Sequence, residues 1–411
     1  MKHIAVIGGG ISGVTTAYAL VARGFDVTVF ERNRYSAMET SYANGGQLSA
    51  SNAEVWNHWP MVAKGLKWMF RRDAPLLVHP KPTWHKLSWF AEFLAAIPHY
   101  ARNTTETARM AIAAREHLFG WAEAENIDFD LKRKGILHIY RDKAGFDHAA
   151  DVTRLLAAGG LERRPVTPEE MRAIEPALSG DFYGGFFTES DATGDIHKYT
   201  VGLAAAAQRR GVTLAYEHDV QSLSAGAAGV AVAAETAEGR VDHRFDGLVI
   251  CAGTASRAMA AQVGDRVNVY PVKGYSITVE LEDAASQQAA PEVSLLDDAT
   301  KLVSSRLGNR FRVAGSAEFT GFNRDIRADR IEPLIDWVAT LFPGVSTRRV
   351  VPWAGLRPML PDMMPRVGTG RSPRVFYNTG HGHLGWTLSA GTADAVAAIV
   401  ESASAKTGLA R

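Results

Sequence analysis

The stretch Ile4-Ala5-Val6-Ile7-Gly8-Gly9-Gly10-Ile11-Ser12-Gly13, with Val14, Ala17, Tyr18 and Val21 after it and then Val27, Val29, Phe30 and Glu31, decides the fold. Ile4–Ile7 is a short apolar run broken by glycine, the pattern of a parallel strand covered on both faces. From Gly13 the apolar spacing becomes i, i+3, i+4, i+7, one face of a helix that Gly24 ends. Val27–Phe30 then reads as a second strand. Between strand and helix lies Gly8-x-Gly10-x-x-Gly13. Its glycines permit a tight turn, close approach of a pyrophosphate to the backbone and close helix–strand packing, and the helix N-terminus offers free N–H groups and positive dipole. Glu31, about 20 residues on, is placed to accept hydrogen bonds from a ribose diol. Strand, turn, helix and acid together predict a Rossmann-like α/β dinucleotide-binding unit. Arg32 reads either as a partner for a 2′-phosphate or as a solvated charge at a strand end.

The chain has 411 residues, with 45 Lys+Arg against 44 Asp+Glu and a formal net charge of +1. Two or three domains are expected from that length. The charge balance supplies no field to draw nucleic acid, and no such partner is expected. Cys251 is the single cysteine, which excludes an intrachain disulfide and a multi-thiolate metal or iron–sulfur site. At the end of an apolar strand it reads as a small buried hydrophobe. The apolar run after Lys2 is too short for a secretory signal and no run approaches about 18 apolar residues, so a cytoplasmic protein is expected.

A second Gly-x-Gly-x-x-Gly, Gly380-His381-Gly382-His383-Leu384-Gly385, follows the strand-like Val375–Tyr377 and precedes the helix-like Leu388–Val400. No strand and acid follow to complete a second nucleotide site. Its helix N-terminus suits instead the negative charge of a reduced flavin near N1 and the C2 carbonyl. His381 and His383 have no third ligand in view, and no metal is expected.

Further motifs come in order: Glu39-Thr40-Ser41-Tyr42-Ala43-Asn44-Gly45-Gly46-Gln47, Tyr270-Pro271-Val272-Lys273-Gly274-Tyr275-Ser276, Gly355-Leu356-Arg357-Pro358-Met359 and Asn378–Thr387. With Gly8–Gly13 and Glu31 they resemble the FAD-dependent D-amino-acid dehydrogenase small subunits, a group of D-amino-acid oxidase-like flavoproteins. The chain departs from the group at Pro361-Asp362-Met363-Met364-Pro365, where Pro-Asp-Gly-Thr-Pro is usual, and at Thr300, where a Tyr usually precedes the lysine. The resemblance implies FAD, a small-molecule D-amino-acid substrate oxidised to a 2-oxo acid and ammonia, and a quinone or electron-transfer partner as acceptor. Oxidation of an N-substituted or cyclic amino acid, or service as a flavin subunit of an electron-transfer complex, are the alternatives. The implied fold interleaves a Rossmann-like FAD-binding domain (residues 1–50, 191–260 and 345–411) with an antiparallel-sheet α+β substrate domain (51–190 and 261–344).

The resemblance assigns FAD to Gly8, Gly10, Ile11, Ser12, Gly13, Glu31 and Arg32, then to Thr40, Ser41, Asn44, Gly45, Gly46 and Gln47. It adds Val220 for the adenine, Ala252 and Gly253, and Gly380, Gly382, His383, Leu384, Gly385, Trp386 and Thr387. Without it, Thr40 and Ser41 read as turn-capping residues and Val220 as core. For the substrate it points to Arg357, whose planar fork holds a carboxylate in two directions where lysine fixes a point. Tyr275 is a candidate through its phenol, Gly382 through its backbone near the amine, and His383 as proton acceptor. Arg357 reads otherwise as a surface residue of a Pro-rich loop, and Tyr275 as core.

Trp56, Trp59, Trp68, Trp84 and Trp89 are five of the nine tryptophans. Along Met61–Arg72, Val62, Leu66, Met69 and Phe70 share one helical face and Lys64, Lys67 and Arg71 another. That layout is compatible with peripheral contact at the inner face of a membrane and with packing on the substrate domain. Nothing in the sequence sets the oligomeric state.

Overall fold

A computed structural model describes residues 1–68 and 75–406. Two sheets carry the architecture. The first has six strands in the order Arg366–Thr369, Val375–Thr379, Gly247–Ile250, His3–Ile7, Asp26–Glu31, Thr213–Tyr216, parallel except for the first pair. Alternate residues of a strand point to opposite faces, and both faces here are covered. Ile4 and Val6 pack into a core with Val14, Leu20, Leu118, Tyr199 and Val396, under the helices Ile11–Val21, Tyr100–Ala124, Ile196–Arg209 and Gly385–Lys406. Ala5 and Ile7 pack into another with Val232 and Leu248, beneath a three-stranded meander (Asp219–Gly226, Gly229–Thr236, Gly239–Phe245). Burial on both sides is why the first strand is apolar without alternation.

The second sheet has nine strands. Its longest, Tyr270–Glu280, runs antiparallel between Val350–Met359 and Arg310–Phe319. On one face Tyr275, Ile277 and Val279 join Leu334, Val338 and Leu341 of the helix Ala328–Leu341 in the core. On the other, Ser276 Oγ donates to the Ala43 carbonyl (2.7 Å), and Arg312 bridges Thr278 Oγ1 and the Asn44 carbonyl. The sheet thereby holds the 40–47 segment against its open face.

Two of the expected domain boundaries move. Val350–Met359 falls in the 345–411 segment yet pairs along its length with Tyr270–Glu280, so the substrate sheet extends to Met359. Helix Tyr100–Ala124 falls in the 51–190 segment yet contributes Leu118 and Ala122 to the first-sheet core. A Cβ on Gly391 would sit 3.0 Å from Ala114, so these two helices touch backbone to backbone.

In the tryptophan-rich region, Trp89 is fully buried against Phe93, Tyr270 and Phe319, with its indole N–H on the Met359 carbonyl (2.9 Å). The helix Trp59–Trp68 packs Val62 against that cluster and turns Met61 and Trp68 to the cavity, while Trp59 is 65% exposed and Leu66 is exposed, as is Trp84 at 80%. Met69, Phe70 and Arg71 lie outside the described residues. No helix of the described residues is long and apolar enough to cross a membrane.

Candidate active site

Packing forces the glycines of the first turn. A Cβ on Gly8 (φ +108°) would lie 2.7 Å from the Cys251 carbonyl oxygen, and one on Gly13 would run into the Gly8 carbonyl. The helix that follows has no cap of its own at Gly10. Its Ile11 N–H is capped from the 40–47 segment by Ser41 Oγ (3.0 Å), so the Ser41 hydroxyl serves the helix as an N-cap side chain does. Ser12 Oγ meets His381 Nδ1 (3.3 Å), which joins the two glycine turns. Glu31 accepts from the Gly9 N–H (2.7 Å) and the Asn33 N–H (2.8 Å); a carboxylate keeps lone pairs beyond those for a diol. Arg32 is not directed at a nucleotide phosphate, because its guanidinium donates to Glu39 (2.5 Å). Val220 lies half-buried beside a bulge, opposite Ala234. Ala252 and Gly253 (φ +53°) follow the strand Gly247–Ile250, and burial pushes the neighbouring Cys251 thiol up to about 12.

Between the sheets opens a cavity of about 230 Å³, walled by Thr40, Asn44–Gln47, Gly274, Gly355, Arg357, His383, Leu384 and Thr387 among others. Thr40 Oγ1 donates to the Leu356 carbonyl (2.8 Å), tying its segment to the strand that carries Arg357. Asn44 Oδ1 accepts from the Gly46 N–H (2.9 Å), and a Cβ on Gly45 would press Val303 at 2.6 Å. The Gln47 amide donates to Ser294 Oγ (2.8 Å), while its Oε1 is buried without a partner. Thr387 Oγ1 accepts from the Ser49 N–H (3.1 Å). The helix Gly385–Lys406 carries no acid in its first turn, so its positive end is uncompensated where Leu384 and Thr387 meet the cavity. Trp386 departs from the expected cofactor set, since the helix turns its ring into the core against Phe129 and Tyr199.

Arg357 lies opposite Val272 on the strand Val350–Met359, with its guanidinium over Gly274, where a Cβ would collide with it. It donates to the Ser316 carbonyl (2.7 Å). Among the described residues no carboxylate forms an ion pair with it. Desolvation pushes its pKa down to about 10, which leaves it charged at neutral pH. His383 stacks on Trp56 (5.3 Å between centroids), and its Nε2 meets the Asn52 carbonyl (3.1 Å). A carbonyl only accepts, so Nε2 carries the proton and the buried, unpartnered Nδ1 is a lone pair. Burial, aided by the Arg357 charge, holds His383 down to about 4, so the expected proton acceptor is a neutral ring of low basicity. Tyr275 does not reach the substrate side: its hydroxyl donates to Glu318 (3.2 Å) on the helix-covered face of the sheet, beside Lys273. Gly382 (φ +59°) begins a short 3₁₀ turn, and a Cβ there would meet only Met359, at 3.7 Å. Gly380 (φ +79°) is tighter, its Cβ colliding with Leu360.

Sequence reasoning missed the close approach at Gly274 and Gly355, and also Glu54, His58 and His148, which converge at the cavity wall. His148 stands 94 residues from Glu54, so no local spacing could reveal the group.

A turn with no room for side chains, a second glycine turn joined to it through Ser12 and His381, and orphaned polar atoms at Gln47 and His383 fit a group that is a dinucleotide at one end and a polar ring at the other. Fold and site thus define a dinucleotide-dependent oxidoreductase of the flavin-binding type. The family model of FAD dependent oxidoreductases matches residues 3–399. "D-amino acid dehydrogenase 3" of Mesorhizobium japonicum is 61% identical over 402 residues, 97% of each chain. "D-amino acid dehydrogenase" of Paramagnetospirillum magneticum is 40% identical over 97% of this chain and 94% of its own. Among solved structures, glycine oxidase from Geobacillus kaustophilus superposes with a TM-score of 0.73 at 22% identity, covering 98% of this chain and 95% of its own. L-proline dehydrogenase from P. horikoshii gives 0.74 at 16% identity, covering 100% and 99%. The chain belongs to the FAD dependent oxidoreductase family, and FAD is its cofactor.

Proposed function

We propose that the protein oxidises D-amino acids to 2-oxo acids and ammonia. The observation that carries this reading is Arg357, a charged guanidinium on the cavity wall with the Ser316 carbonyl for a partner and, among the described residues, no carboxylate. A charge so placed is costly until an anion arrives, and its fork matches a carboxylate in two directions. The 61% identical dehydrogenase supports the same substrate class.

FAD, when bound, supplies the acceptor for the hydride that leaves the substrate Cα. Arg357 fixes the carboxylate and so the direction in which that Cα–H points. His383 Nδ1 accepts a hydrogen bond from the amine, with the Gly382 backbone beside it. The amine must lose a proton before the hydride departs, and a ring held near 4 leaves that proton to solvent at neutral pH. Loss of hydride and proton gives the imino acid; water adds at its Cα and ammonia leaves, giving the 2-oxo acid. The electrons then pass to a quinone or an electron-transfer partner, which we place with a membrane face at the exposed Trp59, Leu66 and Trp84.

Anaerobic mixing with D-, L- and N-alkyl amino acids tests this reading. D-amino acids should bleach the flavin with one ammonia released per flavin reduced. Bleaching confined to N-alkyl or cyclic amino acids, without ammonia, would overturn it.

A further inference from the structure

On a part of the cavity wall that the proposed chemistry leaves unused, three ligating side chains meet. Glu54 and His58 stand four residues apart just before the helix Trp59–Trp68, and His148 comes from the helix Lys143–Ala158. His148 Nε2 lies 3.0 Å from Glu54 Oε1, and His58 Nε2 lies 3.4 Å from the same oxygen. One ligand atom from each residue falls within 4.8 Å of the other two. A tetrahedral zinc ion with bonds of about 2.1 Å separates its ligand atoms by about 3.4 Å, so little movement would close this set around a cation. The two imidazole rings lie 5.5 Å apart at 28°, and their Nε2 atoms both stand beside the same Glu54 oxygen.

The surroundings are those of a ligating carboxylate. Tyr100 donates its hydroxyl to Glu54 Oε1 (2.7 Å), an outer partner that orients the carboxylate, and the Tyr100 ring also packs on His58 (5.0 Å). Glu54 and His148 line the cavity, so a fourth coordination position would open into it. Of the cations whose charge reaches His58, Lys301 is paired with Asp298 and Lys64 is exposed to solvent.

We propose that Glu54, His58 and His148 form a binding site for a divalent cation of the zinc class, open on one side to the substrate cavity. Two imidazoles and one carboxylate suit zinc and disfavour calcium, which asks for six or more oxygens. The proposal runs against the expectation of no metal, and it stands independently of the substrate reading.

Calorimetric titration of tag-free, FAD-loaded protein with zinc chloride, and separately with calcium chloride, tests it. One zinc ion per chain should bind saturably, with calcium roughly 100-fold weaker or worse. Glu54→Gln and His148→Gln should each weaken zinc by about 100-fold. Tyr100→Phe, which removes no ligand, should weaken it by about 10–100-fold. Flavin absorbance and circular dichroism report whether each variant folds, and His58→Gln stands in for any that does not. Absence of saturable zinc binding, or zinc bound with unchanged affinity in the ligand variants, would overturn the proposal.

Discussion

Arg357 and the buried histidines show how much of this site is decided by single side chains held out of water. If Arg357 pairs with the substrate carboxylate, its removal leaves that anion unpaired, which costs about 2–5 kcal/mol. Arg357→Ala should then lower kcat/KM by roughly 30-fold to several thousand-fold with FAD content unchanged. Arg357→Lys should recover only part, because charge returns without the fork. The decisive comparison is an amino acid against the matching amine: preference for the carboxylate should vanish in Arg357→Ala. His381 gives a second prediction. It is buried between Ser12 and Thr392, and desolvation holds it down to about 4. In the unfolded chain a histidine titrates near 6.5. Between those values the unfolded state binds the proton and the native state does not, so stability is full above about pH 6.5 and is lost as pH falls toward 4. The loss amounts to about 3 kcal/mol. In urea unfolding followed across that pH range, His381→Asn should flatten the fall by that amount. An undiminished slope would place the titration elsewhere.

At the scale of strands and turns, the glycines divide by what their missing side chains make room for. Gly274→Ala would push a methyl into the Arg357 guanidinium. A shift of about 1 Å in a positioning group can cost roughly 100-fold, so kcat/KM should fall by that order while FAD stays bound. Gly382→Ala makes only ordinary contact with Met359 but must hold φ +59°, a strain of about 1–2 kcal/mol. It should therefore lower the melting temperature more than it lowers turnover. Equal effects of the two substitutions on kcat/KM would contradict this division. The first strand, its glycine turn and Glu31 were legible because the whole unit is local and within 31 residues. Tyr275 was not, because the strand Tyr270–Glu280 is buried on both faces and its pattern does not tell helix side from cavity side. The sheet to which Val350–Met359 belongs is set by register with residues about 80 positions earlier, which no local pattern encodes. Arg32 stayed open between two readings for a related reason: its partner Glu39 sits in a loop whose path is fixed only by tertiary contacts.

At the scale of the whole molecule, four large apolar side chains, Trp59, Leu66, Trp84 and Leu87, are exposed. If this surface meets a membrane, the protein should sediment with anionic vesicles. Replacing Trp59 and Trp84 together by Ser should weaken that binding roughly tenfold or more, about 1.4 kcal/mol or above. Vesicle binding unchanged in the double variant would place the contact elsewhere. The route of the chain has its own consequence. The first sheet draws its strands from residues 3–31, 213–250 and 366–379, and the helix Gly385–Lys406 packs against both Ile11–Val21 and Tyr100–Ala124. The core behind the glycine turn at Gly8 is therefore complete only when residues 366–406 are in place, so a chain cut before Gly385 should fail to hold FAD.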